Sequence, residues 1–190
     1  SSQTTINFSL GLGDNAQLGK TTTVSVFTFA INAVGPTDDI TYDDGSGSTS
    51  GSSALYDDNL DVGGITKWTI TKTDGSEFQL ISIYIKDAGF GSTSGTISAY
   101  KNGVQVGSTD AINFDGLKTL STNADYNDID EFRIEAIDIN FYLDDLTYGT
   151  PNIPNTAPAI GGAVASQAVN DNSTLSPFSA ITITDDDDDN

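Results

Sequence analysis

Residues 65–86 read ITKWTITKTDGSEFQLISIYIK. The first run alternates, with Thr66, Trp68 and Ile70 on one side and Lys67, Thr69 and Thr71 on the other. The second run places Ile81, Ile83 and Ile85 together. A period of two is that of an extended strand, and β-branched and aromatic residues suit a pleated surface. Asp74-Gly75 between the runs is a turn signal, so the two runs are expected to form a hairpin.

The same pattern continues on both sides. Residues 96–101 (TISAYK) and 104–108 (VQVGS) flank Asn102-Gly103, a pair suited to a type I′ turn because both central residues need positive φ. Residues 22–33 (TTVSVFTFAINA) are β-branched or aromatic on both faces and are expected to be one buried strand. Residues 131–137 (EFRIEAI) and 139–148 (INFYLDDLTY) form a last pair of strands, and residues 6–10 a short first one. Helical periodicity is almost absent. Repeated short strands at this spacing indicate an all-β chain built as an antiparallel β-sandwich.

The chain changes character at Pro151. Pro151, Pro154 and Pro158 suit an extended linker. The expected organisation is a sandwich over 1–149, a Pro-rich linker over 150–159, and a tail over 160–190. The tail has possible strands at 163–169 and 181–184 and ends in an aspartate run. Two strands cannot make a core of their own.

Composition narrows the function classes. The 190 residues carry 27 acidic and 7 basic side chains, for a net charge of −20. Only Glu77, Glu131 and Glu135 are glutamate; every other acidic residue is aspartate, the residue of turns and metal loops. Nucleic acid is an unsuitable partner, since phosphate binding needs clustered Lys and Arg. An anionic membrane surface would repel the chain, and no apolar run is long enough to span a bilayer. Self-repulsion at this charge is offset by salt or by bound cations. The chain has no His and no Cys, which excludes His-dependent triads, Cys nucleophiles and the common zinc sites. Carboxylate pairs are too numerous here to single out a glycosidase, so the chain is expected not to be an enzyme. It contains no Met and begins Ser1-Ser2-Gln3, which fits a mature secreted end or a fragment of a longer protein.

Calcium takes six to eight oxygen ligands, preferably carboxylates and carbonyls from loops. The candidate ligands are Asp43 and Asp44, Asp57 and Asp58, Asp144 and Asp145, and Asp185, Asp186 and Asp187 in the terminal run, with Asp125, Asp128 and Asp130 as a further cluster. The alternative is an acidic surface that binds nothing. Tyr42-Asp43-Asp44 and Tyr56-Asp57-Asp58 echo each other, as two arms of one loop folded over a cation would. Asp144-Asp145 carries the strongest argument. Phe141 and Leu143 share one parity, Leu146 and Tyr148 the other. Keeping both pairs in the core requires a one-residue bulge there, and bulges re-aim side chains. One of the two aspartates is then expected to face a cation at the sandwich edge. For sugar binding the loop aromatics Tyr42, Tyr56, Phe90 and Tyr126 are the candidates; Trp68, beside Ile70, belongs in the core.

Two resemblances add to this reading. The stretches GGITKWTITKTDGSEFQLISIYIKD, YKNGVQVGS, DIDEFRIEA and FYLDDLTYG resemble jelly-roll modules of very large secreted bacterial repeat proteins. FYLDDLTY is also similar to the final strand of carbohydrate-binding-module jelly rolls, where a carboxylate often serves a structural calcium ion. The resemblance covers residues 1–149 and implies a jelly-roll type of sandwich. Asn155-Thr156-Ala157-Pro158 and the stretch after it resemble the opening of a bacterial cadherin-like or immunoglobulin-like repeat. Together they imply an extracellular calcium-binding adhesin-type module that recognises glycan at a cell surface or matrix. The other expectation is a structural subunit of an extracellular filament or sheath, self-associating by strand addition through its tail.

Overall fold

The structure, a computed structural model, describes residues 2–12, 14–32, 39–44, 53–57, 65–88, 94–137, 141–163, 168–176 and 178–184. In chain order the strands are β1 (Gln3–Ile6), β2 (Ala16–Gln17), β3 (Thr21–Val24), β4 (Phe27–Ile31), β5 (Ile40–Asp43), β6 (Ala54–Asp57), β7 (Ile65–Lys72), β8 (Gln79–Asp87), β9 (Ser94–Lys101), β10 (Val104–Asn113), β11 (Asp115–Thr119), β12 (Glu131–Ile137), β13 (Phe141–Gly149), β14 (Ala159–Gly161) and β15 (Thr182–Thr184). Among the described residues a single 3₁₀ turn, Ala124–Tyr126, lies between β11 and β12. No helix among the described residues is long and apolar enough to cross a membrane. The chain divides into two units, Ser1–Asn152 and Ile153–Asn190.

The first unit is an antiparallel β-sandwich of jelly-roll type. One sheet has the order β11-β8-β13-β6-β5-β2, with β1 also paired to β13; the other has the order β10-β9-β12-β7-β4-β3. The alternation read from the sequence decides which residues fill the space between them. Trp68, Ile70, Phe132, Ile134, Phe27, Phe29 and Ile97 come from one sheet, Ile83, Ile85, Phe141, Leu143, Leu55 and Ile40 from the other, and all are fully buried. Edge-on ring contacts such as Phe27–Phe78 at 5.0 Å tie the core together.

Asn102 and Gly103 have φ of 52° and 76°, and Lys101 pairs with Val104, as a type I′ hairpin requires. Three other elements depart from the expectation. Residues 22–33 are not one strand but the hairpin β3–β4, with Val24 paired to Phe27 across a two-residue turn in which Ser25 has φ of 56°. The parity switch from Val24 to Phe27, Phe29 and Ile31 carried that turn, without a Gly or Asn to announce it. The Asp74-Gly75 turn forms locally, with Asp74 accepting from the Ser76 amide at 2.9 Å and Gly75 at φ 72°. It does not make a hairpin: β7 lies in one sheet and β8 in the other, so the connection is an arch between layers. The last two strands, β12 and β13, are likewise in opposite sheets. The first strand begins earlier than expected, at Gln3, although Phe8 beyond it is fully buried.

Among its described residues the second unit has one antiparallel pair, β14 with β15, in which Ile160 pairs with Ile183. Its first described strand lies before the expected 163–169, of which residues 164–167 lie outside the described residues. None of its described residues is buried, and Ile160, Phe178 and Ile183 are 68%, 76% and 70% exposed.

Candidate binding face on the seven-stranded sheet

β13 is the hub of the candidate site. Its residues Tyr142 and Leu143 pair with β6, whereas Leu146 to Gly149 pair with β1. The handover between these two neighbours falls at Asp144-Asp145. On the opposite edge, Asp144 pairs with Tyr84 and Thr147 with Ser82, so two residues of β13 stand against one of β8. This is the bulge that the parity of Phe141, Leu143 and Leu146 demands, and all three side chains are fully buried. Asp145 takes the left-handed conformation at φ 47°, and its amide donates to the Asp144 carboxylate at 2.8 Å.

The register fixes what stands on the outer face. Phe141 and Leu143 point inward, so Tyr142 and Asp144 point outward. Tyr142 pairs with Tyr56 of β6, and Tyr56 with Thr41 of β5. On the other side Tyr142 pairs with Lys86, and Asp144 with Tyr84. Thus Thr41, Tyr56, Tyr142 and Lys86 form one row, and Asp43, Ala54, Asp144 and Tyr84 the next. Tyr56 and Tyr142 meet edge-on with centroids 5.3 Å apart.

The acidic residues gather at the β5 end of this face. β2 pairs Ala16 with Tyr42, and the preceding Asp14-Asn15 turn, with Asn15 at φ 59°, carries Asp14 alongside β5. Carboxylate oxygens of Asp14, Asp43 and Asp44 all lie within 4.8 Å of one another. Two oxygens on one calcium, each at about 2.4 Å, are separated by at most about 4.8 Å. The donor set therefore fits a hard divalent cation. Asp43 is buried, while Asp14 and Asp44 are exposed. Tyr142 stands near enough to the buried Asp43 for that carboxylate's charge to act on its phenol. Burial first, then the Asp43 charge, pushes the Tyr142 phenol up to about 12. The Tyr56 hydroxyl donates to Asn15 Oδ1 at 2.9 Å. Asn15 in turn donates to both carboxylate oxygens of Asp14, at 3.0 and 2.9 Å.

The sequence candidates are distributed as follows. Asp43 and Asp44 belong to the triad. The echoing segments are the two arms of the β5–β6 hairpin, but antiparallel pairing sets Asp57 against Ile40 and Asp43 against Ala54. The backbone of Asp57 thus lies at the opposite end of this strand pair from that of Asp43. Asp144 and Asp145 lie on a central strand rather than at the sandwich edge. Among the described residues no third acidic side chain joins them as a ligand group. Burial and the adjacent Asp144 charge raise the Asp145 carboxyl above its ordinary range. Asp58, Asp185, Asp186, Asp187 and Phe90 lie outside the described residues, as does the side chain of Asp57.

Of the aromatic candidates, Tyr56 stands on the outer face. Tyr42 is not a loop residue; it is 2% exposed, points inward from β5 and bonds Ser53 Oγ at 2.6 Å. Tyr126 is fully buried, its hydroxyl on Asp110 at 2.9 Å. Neither ring offers a face to solvent. Asp125, Asp128 and Asp130 brace the β9–β10 hairpin instead of gathering round an ion: Asp125 accepts from the Ser108 amide, Asp130 from the Asn102 amide, and Asp128 pairs with Lys101 at 2.5 Å. Asp14, Tyr142 and Thr41 escaped the sequence reading. The outward parity of Tyr142 was available in FYLDD; Asp14 is brought in only by the β2–β5 register.

No family model matches the sequence, and no curated protein matches it. Among solved structures, the chain is similar to a family 29 carbohydrate-binding module from Piromyces equi, at 13% identity and a TM-score of 0.41, over 78% of this chain and 90% of that one. It is also similar to the N-terminal part of endo-1,4-β-D-xylanase 10B from Clostridium thermocellum, a family 22 carbohydrate-binding module joined to its catalytic module and complexed with xylohexaose. There the identity is 12% and the TM-score 0.42, over 67% of this chain and 27% of that one. The site is read from its own geometry.

Proposed function

We propose that the chain is an extracellular, calcium-binding, non-catalytic module of adhesin type that recognises glycan on the outer face of its seven-stranded sheet. The convergence of the Asp14, Asp43 and Asp44 carboxylates beside the Tyr56–Tyr142 pair carries this reading. Three like charges at that separation repel, and a divalent cation offsets them. Partly exposed tyrosine rings offer apolar faces to a sugar ring, and the surrounding carboxylates and Lys86 offer partners to its hydroxyls. A glycan array probed in calcium is expected to give hits that weaken at least tenfold in the Tyr56→Ala/Tyr142→Ala double variant. An array with no hits, together with no glycan heat by calorimetry, would sink the glycan half of the reading.

A second reading is favoured by the second unit. Its exposed Ile160, Phe178 and Ile183 suit a structural subunit of an extracellular filament that self-associates through its tail. Removing residues 151–190 separates the two. Sedimentation of the shortened chain is expected to match that of the full chain, with glycan binding retained. Calcium-dependent oligomers that vanish on truncation would favour the filament.

A further inference from the structure

We propose that the outer face of the six-stranded sheet is a second, weaker glycan face, fitted to neutral polysaccharide, so that one sandwich joins two polysaccharide chains. The second face rests on the glycan reading above and adds a contact on the opposite side of the sandwich.

β12 sets the chemistry of this face. Phe132 and Ile134 point into the core and are fully buried, so Glu131, Arg133 and Glu135 point outward. Register places Glu131 beside Tyr100 of β9, Arg133 beside Thr69 of β7, and Glu135 beside Lys67. Arg133, the one arginine of the chain, lies over the Tyr100 ring at 3.7 Å from its centroid and donates from Nε to Glu131. That bond leaves its two terminal amino groups with no hydrogen-bond partner among the described residues. Lys67 pairs with Glu135 at 2.9 Å. The four charged side chains are between 19% and 37% exposed, so all are open to a ligand.

Charge separates this face from the rest of the chain. Its two cations and two anions cancel, although the chain as a whole carries −20. Among the described strands of this sheet no aspartate points outward: Asp110 of β10 pairs with inward Ile97 and bonds the buried Tyr126 hydroxyl. From β7 to β9 every outward residue is charged or carries a hydroxyl. An anionic ligand would meet Glu131 and Glu135. A protein partner would lack the apolar centre that interface cores have. A neutral sugar suits the face. Each sugar hydroxyl both donates and accepts, and cations standing beside carboxylates supply both partners. Stacking on Tyr100 holds the planar guanidinium fork ready. Because Arg133 covers one side of that ring, less bare aromatic surface is left than at the Tyr56–Tyr142 pair, and binding here is the weaker.

The two sheets are the layers of one sandwich, so their outer faces point in opposite directions. One chain cannot lie flat on both, and a module that fills both faces cross-links two chains. A weak second contact suffices, since the first raises the local concentration of polysaccharide around it.

The test uses the full chain with soluble arabinoxylan, mixed-linkage β-glucan and galactomannan, three neutral polysaccharides. The parent is expected to be retarded in native gels that contain one of them and to precipitate that polysaccharide, with turbidity that rises and then falls as protein is added in excess. Arg133→Ala and Glu135→Ala are each expected to cut the turbidity by about fivefold or more. Tyr56→Ala/Tyr142→Ala is expected to keep about a tenth of the affinity read from the gels, and adding Arg133→Ala to it to abolish the remainder. Turbidity unchanged in both Arg133→Ala and Glu135→Ala overturns the second face and leaves the first standing. Retardation of the parent without precipitation overturns the cross-link. No retardation with any of the three overturns the second face, and glycan-array hits with the same protein then leave the first face standing.

Discussion

Calcium is expected to raise the melting temperature of this chain by about 10 °C, and Asp43→Asn to remove nearly all of that gain. Ligand at about a thousand times its dissociation constant stabilises the bound state by about 4 kcal/mol. For a domain of this size each kcal/mol corresponds to roughly 2–4 °C. Asp43 is the decisive position because it is the buried member of the triad. Replacing its carboxylate by an amide keeps the volume and removes a charge. In the absence of calcium Asp43→Asn is expected to melt at or slightly above the parent, since it also removes repulsion from Asp14 and Asp44. Scanning calorimetry with calcium and with a chelator measures both effects. Equal shifts in parent and variant would place the cation elsewhere, and no shift in either would remove the calcium site altogether.

Deleting both Asp144 and Asp145 is expected to prevent the sandwich from folding, whereas deleting Asp145 alone and Asp145→Asn are both expected to fold. Removing Asp145 alone takes out the extra residue of the bulge, so β13 alternates regularly and Leu146 stays inward, opposite Ile83. Removing both residues turns over every side chain after Leu143. Leu146, fully buried, then moves to the outer face and Thr147 moves into the core. The first change costs about 2–5 kcal/mol and the second about 1–3 kcal/mol. Together these approach the whole stability of a small domain. Asn tolerates the positive φ of this position and removes a carboxyl that burial and Asp144 disfavour in its ionised form. Amide dispersion in an NMR spectrum and near-ultraviolet dichroism report the outcome. A double-deletion variant with native dispersion would mean that the parity of β13 carries no stability.

The bulge illustrates what the sequence made legible. Parity along FYLDDLTY is a local property, and local rules locate a bulge just as they locate the Asn102-Gly103 turn. Pairing between distant strands is different. The turn chemistry of Asp74-Gly75 is the same whether the chain folds back beside itself or arches to the opposite layer, so the hairpin expected there was not decided by those residues. The same gap separates the sequence candidates from the face that forms. Tyr42-Asp43-Asp44 and Tyr56-Asp57-Asp58 look alike along the chain, yet antiparallel register sends Tyr42 inward and Tyr56 outward. Asp14 carries no motif of its own. It reaches the triad because a two-residue strand, Ala16–Gln17, pairs with Thr41 and Tyr42.

The place of β1 has a mechanical consequence. Gln3 pairs with Gly149, so the entering and leaving ends of the sandwich lie side by side at one end of one antiparallel ladder. A force that pulls these ends apart does not shear the ladder. It peels β1 from β13 one residue pair at a time, from Gln3 and Gly149 toward Ile6 and Leu146, with each hydrogen bond loaded in turn. The peeling front stops at Asp144-Asp145, where β6 takes over as neighbour. Under tension the first unit would therefore yield at low force by releasing one short strand, with Asp14, Asp43 and Asp44 outside the loaded segment.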